Sequence, residues 1–181
     1  MADIFIAGAP ASAVLDRAVD LVKKLKTDAP RSFVPPSEGA RPSNEFIIPF
    51  AMARGTRGYL EKVVNQINGC YEKGWFDGCA VMMRRLLETL IIECFEKHKI
   101  DSKIKDTKGD FLYLADLIDR TIQETTWNLG RNVKMALPKL KSIGDKSAHS
   151  RRYNAHREDI DKVSMDFRDT CQELLVIAGL K

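Results

Sequence analysis

The sequence predicts an all-α protein whose main part is a helical bundle. Apolar residues recur with i, i+3, i+4 spacing in four separate segments after residue 56, which is typical of amphipathic helices packed together. Strand signals are almost absent, since no period-two alternation is sustained and no Asn-Gly turn joins two apolar runs. A chain of 181 residues, 44% of them hydrophobic, suits one domain that buries roughly 70% of its unfolded surface.

Residues 1–50 are expected to form an N-terminal helix and an arm, outside a bundle domain of residues 51–181. Ser12 is a suitable cap for a helix that runs to about Lys26, because apolar residues follow with helical spacing. Four prolines and a glycine then break the segment 28–44, which we interpret as a linker or a wrapping arm. The apolar residues 47–50, interrupted by Pro49, are expected to be a short docking segment.

The first two helices of the bundle are predicted from their apolar faces and from one glycine. A helix is expected from about Thr56 to Lys73, and Gly74 should end it. A second helix is expected over residues 76–97. Its apolar stripe is wide, which predicts that this helix lies at the centre of the core.

The remaining helices are predicted with less regular boundaries. Polar residues 99–109 indicate a loop, after which Asp110 is expected to cap a third helix. A further helical segment is expected over residues 127–141, interrupted near Pro138. The last helix should begin near Asp159.

Composition excludes several classes of protein. The start of the chain has no basic leader, and no run of about 18 apolar residues occurs, so we expect a cytoplasmic protein without a membrane partner. None of the four cysteines forms a CxxC pair, which favours free, buried thiols. No Cys or His spacing is typical of a zinc site, and no nucleotide-binding glycine motif or nucleophile elbow is present. We therefore expect neither a metal nor a cofactor.

The net charge of +4 hides a polarised distribution. Residues 131–157 contain eight lysines and arginines against one acid, Asp145, so this segment carries +7 and the remainder −3. A local charge of that size attracts phosphate groups, although a solvated basic face would have the same composition. The cations that we predict to contact RNA or another phosphate-bearing partner are Lys141, Lys146, Arg151 and Arg152.

Two motifs lie about sixty residues apart. The first is Arg84-x-x-x-Glu88 on the second predicted helix, and the second is Gly144-Asp145-x-x-Ala148-His149, expected as a turn. Their order and separation resemble the HEPN superfamily of helical bundles, in particular an uncharacterised prokaryotic branch, over roughly residues 56–180.

This resemblance implies an up-down bundle that often dimerises, with a metal-independent ribonuclease site near the dimer interface. His149 and Asp145 match the family's histidine and polar positions, and Gly144 stands where the family places an arginine. A neutral histidine can accept the proton of a ribose 2′-hydroxyl while a cation stabilises the phosphorane. Lys141, Arg84 or a neighbouring cation would then have to replace the missing arginine in space.

Three interpretations stay open at this point. The protein is RNA-directed, either as a binder or as a weak metal-independent endoribonuclease, so whether it is an enzyme is undecided. Alternatively, it is a non-catalytic dimeric module that docks a partner protein, in a defence or toxin–antitoxin-like system. In the third, purely structural interpretation, Arg84 and Glu88 form a hydrogen-bonded network that holds the His149 turn.

Overall fold

The computed structural model describes residues 15–20 and 47–181. The chain divides into two compact units, residues 1–37 and 38–181. In the first unit, residues 15–20 are helical, and Leu15 and Val19 are exposed. The predicted cap Ser12 and the predicted proline-rich arm lie outside the described residues.

The described part of the second unit is built from helices. Their bounds are α1 Phe50–Ala53, α2 Gly58–Glu72, α3 Phe76–Lys97, α4 Leu114–Gln123, α5 Arg131–His149 and α6 Arg157–Ile177, with a 3-10 turn at Asp101–Ile104. The only β-type pairing within residues 47–181 is an isolated bridge between Lys105 and Phe111. The predicted all-α fold class is confirmed.

Helices α2 and α3 form where the apolar pattern predicts them. Gly74 separates them and adopts φ +75°, a left-handed conformation that costs glycine little. The predicted central position of α3 is also confirmed, because this helix contacts α2, α4, α5 and α6. Its buried face includes Leu86, Leu87, Leu90, Ile91 and Phe95.

The four long helices alternate in direction. Trp127, which precedes α5, packs edge-on against Phe95 near the end of α3, with ring centroids 5.0 Å apart. Ala155, which follows α5, donates its backbone N–H to Asp77 at the start of α3 over 3.0 Å. Helices α3 and α5 are therefore antiparallel. Cys94 near the end of α3 contacts the Leu174 carbonyl near the end of α6, so α3 and α6 run in the same direction.

The segment before α1 is anchored to the bundle by one amide side chain. Asn68 Oδ1 accepts the backbone N–H groups of Ile47 and Ile48 at 2.9 and 3.2 Å, and Asn68 Nδ2 donates to the Ile48 carbonyl at 2.8 Å. Both isoleucines are buried in the core. Residues 47–48 therefore dock on the bundle, as the apolar run suggested.

Asp110 does not cap a helix, contrary to the prediction. Helix α4 begins at Leu114, after Tyr113, and no side chain caps it. Asp110 instead closes a tight turn with Asp106, whose backbone N–H donates to the Asp110 carbonyl over 2.8 Å. The bridge between Lys105 and Phe111 holds the two sides of this turn together and delays the helix.

Pro138 does not interrupt α5, which is also contrary to the prediction. The helix continues through this residue to His149. Pro138 is exposed, so its ring faces solvent, whereas Leu137, Leu140 and Ile143 on the opposite side are buried. The burial of these side chains offsets the roughly 3 kcal/mol that an internal proline costs.

The four cysteines are free, and Cys79, Cys94 and Cys171 are buried. Burial raises the pKa of the Cys79 and Cys94 thiols to about 12, so both stay protonated at neutral pH. Within residues 15–20 and 47–181, no helix is both long enough and apolar enough to cross a membrane.

Candidate functional site

Helices α3 and α5 approach each other closely at Gly144. A Cβ atom on this residue would lie 2.6 Å from Cβ of Arg84 and 3.1 Å from the Ala80 carbonyl oxygen. Neither neighbour can move away easily, because both belong to the rigid part of α3. Gly144 is therefore required by the packing of the two helices, and an arginine has no room there.

The close approach brings Arg84 against Asp145. Nε of Arg84 donates to Asp145 Oδ1 over 2.8 Å, and NH1 of Arg84 lies 3.5 Å from Glu88 Oε2. Lys141, one turn before Asp145 on α5, donates to the other oxygen of this carboxylate. Two cations and two carboxylates thus form a neutral cluster, which we call the Arg84 network.

Asp145 is ionised in this network. Burial alone would raise the pKa of Asp145, but the hydrogen bonds from Lys141 and Arg84 outweigh it and hold the pKa below its ordinary value. The carboxylate is about 30% exposed, so solvent screens these interactions in part.

Asp145→Asn is expected to reduce the free energy of unfolding by roughly 0.5–1 kcal/mol at pH 7. The lowered folded-state pKa means that Asp145 contributes stability above the ordinary aspartate pKa of about 3.9, and that this contribution disappears as the pH falls through the folded-state value. Urea unfolding of both proteins between pH 2 and 7 checks this. The difference should be full at pH 6–7 and vanish near pH 2.

The matched control is Asp169→Asn, since Asp169 is an exposed carboxylate on α6 with no ion pair to a described residue. Its effect on unfolding should be small and nearly independent of pH. An Asp145→Asn difference that stays constant down to pH 2 would contradict the role of the ionised carboxylate.

His149 lies apart from the Arg84 network. It is the last residue of α5 and is exposed, one helical turn beyond Asp145. Its ring makes no hydrogen bond to any described residue. The segment expected as a turn is helical, and Arg84, which Glu88 contacts, holds Asp145 rather than His149.

A second feature of α5 is a groove that it forms with α6. The groove has a volume of about 530 Å³ and is lined by three lysines, Lys139, Lys146 and Lys162, together with Ser142 and Tyr153. We call it the lysine groove. Two of the lysines come from α5 and one comes from α6, so the packing of the helices brings them together.

Among the described residues, Asp159 is the only acid that lines the lysine groove, and it is already hydrogen-bonded within the protein. It accepts the His156 backbone N–H at 3.0 Å and the Tyr153 hydroxyl at 3.2 Å. The His156 N–H, the Tyr153 hydroxyl and the nearby Lys162 charge lower the pKa of Asp159 despite partial burial. With Asp159 ionised and the three lysines protonated, the groove carries a net charge of +2.

The structure divides the predicted phosphate-binding residues into two groups. Lys146 lines the lysine groove, and Arg151 and Arg152 are exposed in the linker, residues 150–156, that leaves it. Lys141 instead belongs to the Arg84 network. Arg157 at the end of the basic segment donates to the Tyr71 hydroxyl and lies 4.7 Å from the ring centre, so it is engaged by the bundle.

Two lysines of the groove are not among the phosphate-binding residues predicted from the sequence. Lys139 lies within the basic segment but was not assigned to the site. Lys162 lies beyond the segment among the acids of α6, so a count of charges along the chain hides it. The helical phase of α6 was the available signal, because Asp159, Lys162 and Val163 share one face.

The described part of the second unit is an all-α antiparallel bundle, and the lysine groove lies between its last two helices. No protein-family model, no curated protein and no solved structure matches the chain. Among the described residues, no cluster of three or more His, Cys, Asp or Glu side chains could hold a metal ion.

Proposed function

We propose that this protein binds RNA through the lysine groove and the adjoining Arg151 and Arg152, and that it does so without cleaving the RNA. The observation that carries the proposal is the convergence of Lys139, Lys146 and Lys162 from two helices on one groove. None of these three lysines forms an ion pair with a described residue, so their charges remain available to a ligand.

The chemistry of the groove suits a chain of phosphates. Lysines bind phosphate as point charges, and each contact releases condensed counterions from the nucleic acid. Arg151 and Arg152 extend the positive surface beyond the groove along the linker. A single phosphate would use only part of this surface. The resemblance to HEPN proteins favours RNA among the possible polyphosphates.

The Arg84 network supports binding rather than cleavage. The family mechanism needs a cation that stabilises the phosphorane beside the histidine. Here Arg84 and Lys141 are both neutralised by carboxylates, and no described residue is hydrogen-bonded to His149 to orient its ring. Asp145, which matches the polar position of the family's motif, therefore supports the packing of α3 against α5, whereas His149 is exposed at the end of α5.

We expect fluorescence anisotropy to show that the full chain binds a labelled single-stranded RNA with strong salt dependence. The slope of log K against log salt should be about −0.7 for each phosphate contacted. Lys139→Gln/Lys146→Gln should weaken binding and reduce the steepness of this slope by up to about 1.4.

The control is Lys99→Gln/Lys108→Gln, which removes the same charge from exposed lysines between α3 and α4. It should leave the slope almost unchanged. Binding that is absent at low salt, insensitive to salt or equally weakened by both double variants would overturn the proposal. A single-stranded DNA of the same sequence tests the preference for RNA.

Incubation of the labelled RNA with excess protein in EDTA tests the absence of cleavage. We expect the wild type and His149→Ala to leave the RNA intact to the same extent. Cleavage by the wild type that His149→Ala abolishes would assign a catalytic role to this histidine and overturn the non-catalytic part of the proposal.

A further inference from the structure

Trp75 is an exposed indole at the same end of the bundle as the arginines of the linker. Its exposed fraction is 63%, and its ring makes no aromatic contact with a described residue. It is the residue immediately before α3, in the short turn that begins with Gly74. Tryptophan usually buries most of its surface, so an indole presented in this way is available to a ligand.

The linker connects the lysine groove to Trp75. Tyr153 lines the groove, and Ala155, two residues later, donates its N–H to Asp77 Oδ1 over 3.0 Å. Asp77 in turn is two residues from Trp75. Because a residue spans at most about 3.6 Å of extended chain, the path from the edge of the groove to Trp75 is on the order of 20 Å.

Two cations precede the start of this path. Arg151 and Arg152 are exposed, and they lie between the last turn of α5 and Tyr153. A count of basic residues along the sequence gives Trp75 no role. In the structure, the bond between Ala155 and Asp77 ties the linker to the start of α3, two residues from the indole.

We infer that Trp75 is a stacking platform for an unpaired base, and that the ligand of the proposed RNA site is therefore single-stranded. This inference rests on the proposed function. The lysine groove and Arg151 and Arg152 hold the phosphates, while the indole face of Trp75 receives one exposed base at the far end. Every base has a π-face, so this contact requires single strands and tolerates any sequence.

Duplex RNA cannot make the proposed stacking contact with Trp75. Its bases are paired and stacked inside the helix, so they cannot reach an indole on a protein surface. A stacked strand rises about 3.4 Å per nucleotide, so about six nucleotides cover the path from groove to indole. An oligouridine of about eight nucleotides is long enough to engage both parts.

The experiment uses the full chain with Trp127→Phe, which leaves Trp75 as the only tryptophan. The Trp127 indole N–H makes no hydrogen bond to a described residue, so phenylalanine removes no polar contact with that part of the chain. We expect the oligouridine to quench Trp75 fluorescence. An oligomer with the same phosphates but no bases should bind more weakly and leave the fluorescence almost unchanged.

Trp75→Ala in the otherwise wild-type chain should weaken oligouridine binding roughly 5-fold to 150-fold, the range for one stacked base. Its affinity for the base-free oligomer and its salt slope should not change. Tyr113→Ala is the matched control, since Tyr113 is an aromatic residue that is 84% exposed before α4. This variant should bind oligouridine like the wild type.

The outcomes separate the two proposals. If oligouridine binds with the expected salt slope but Trp75→Ala has no effect, the stacking inference is wrong and RNA binding stands. If Trp75→Ala weakens the base-free oligomer equally, the residue acts on the fold rather than on a base, and the inference is again wrong. If neither oligomer binds at low salt, the proposed function itself fails.

Discussion

Gly144→Arg, which would supply the arginine of the HEPN motif, is expected to destabilise the bundle by about 3 kcal/mol and to create no ribonuclease. The Cβ atom alone would lie 2.6 Å from Cβ of Arg84 and 3.1 Å from the Ala80 carbonyl, so α3 and α5 would have to move apart. The added guanidinium would also upset the charge balance of the Arg84 network. Urea unfolding measures the loss as a lower midpoint.

Gly144→Ala isolates the steric part of this effect. In an open helix the change from glycine to alanine stabilises by up to about 1 kcal/mol, because alanine loses less backbone entropy. At Gly144 the close contact with α3 opposes this gain and costs about 1–3 kcal/mol. We therefore expect Gly144→Ala to be less stable than the wild type and more stable than Gly144→Arg.

Gly58→Ala is the matched control, because a Cβ at Gly58 in the first turn of α2 would meet no atom within 4 Å. It should unfold at the wild-type urea concentration or slightly above it. Stability of Gly144→Ala equal to that of Gly58→Ala would show that α3 and α5 do not pack tightly at this residue. RNA cleavage by a folded Gly144→Arg protein in EDTA would show that the motif arginine has room after all.

The sequence predicts the fold best where periodicity and a breaker agree. Gly74 separates two strongly amphipathic segments, and the resulting bounds of α2 and α3 match the structure to within two residues. The predictions made from Pro138 and Asp110 are wrong because the local preferences of these residues are weaker than tertiary contacts. Pro138 lies on the solvent-exposed side of α5, and packing of the opposite side stabilises this helix. Asp110 is hydrogen-bonded to Asp106 in a turn that ends before α4 begins.

The sequence predicts that the candidate site is basic, but it does not predict how the basic residues are arranged in space. The excess of basic residues drew attention to the end of α5, and Lys146, Arg151 and Arg152 do lie on an open surface. A count of charges along the chain does not show which lysines have free charges in the groove. Lys141 is neutralised by an acid one turn later, whereas the packing of α6 brings Lys162 to the groove.

The role of Gly144 also depended on structure. In the sequence, Gly144 stands where the HEPN motif has an arginine. In the bundle, the absence of a side chain at Gly144 allows Arg84 to reach Asp145 from the neighbouring helix. Such a contact between helices cannot be predicted from linear spacing, because it depends on which residues face each other where the helices cross.

Phe95→Ala is expected to have the second large effect, a loss of about 3–5 kcal/mol in the free energy of unfolding. Phe95 is fully buried near the end of α3, where its ring meets Trp127 at a centroid distance of 5.0 Å and an interplanar angle of 87°. The Trp127 indole N–H has no hydrogen-bond partner in the part of the chain that the structure describes, and its ring packs against Phe95 and His98. Removal of Phe95 therefore leaves a cavity and also loosens Trp127.

Two readouts separate these consequences. In a Trp75→Phe background, Trp127 is the only tryptophan, and its emission should shift to longer wavelength in Phe95→Ala as water reaches the indole. Urea unfolding should show a lower midpoint with an unchanged slope, because the extent of the folded surface stays the same. Phe111→Ala is the control: its ring is 40% exposed and contacts Lys105, so the loss should be about 1 kcal/mol without an emission shift. Equal losses in the two variants would mean that the junction between α3 and α5 is not packed as described, and the antiparallel arrangement of α3 and α5 would then lose one of the two contacts that define it.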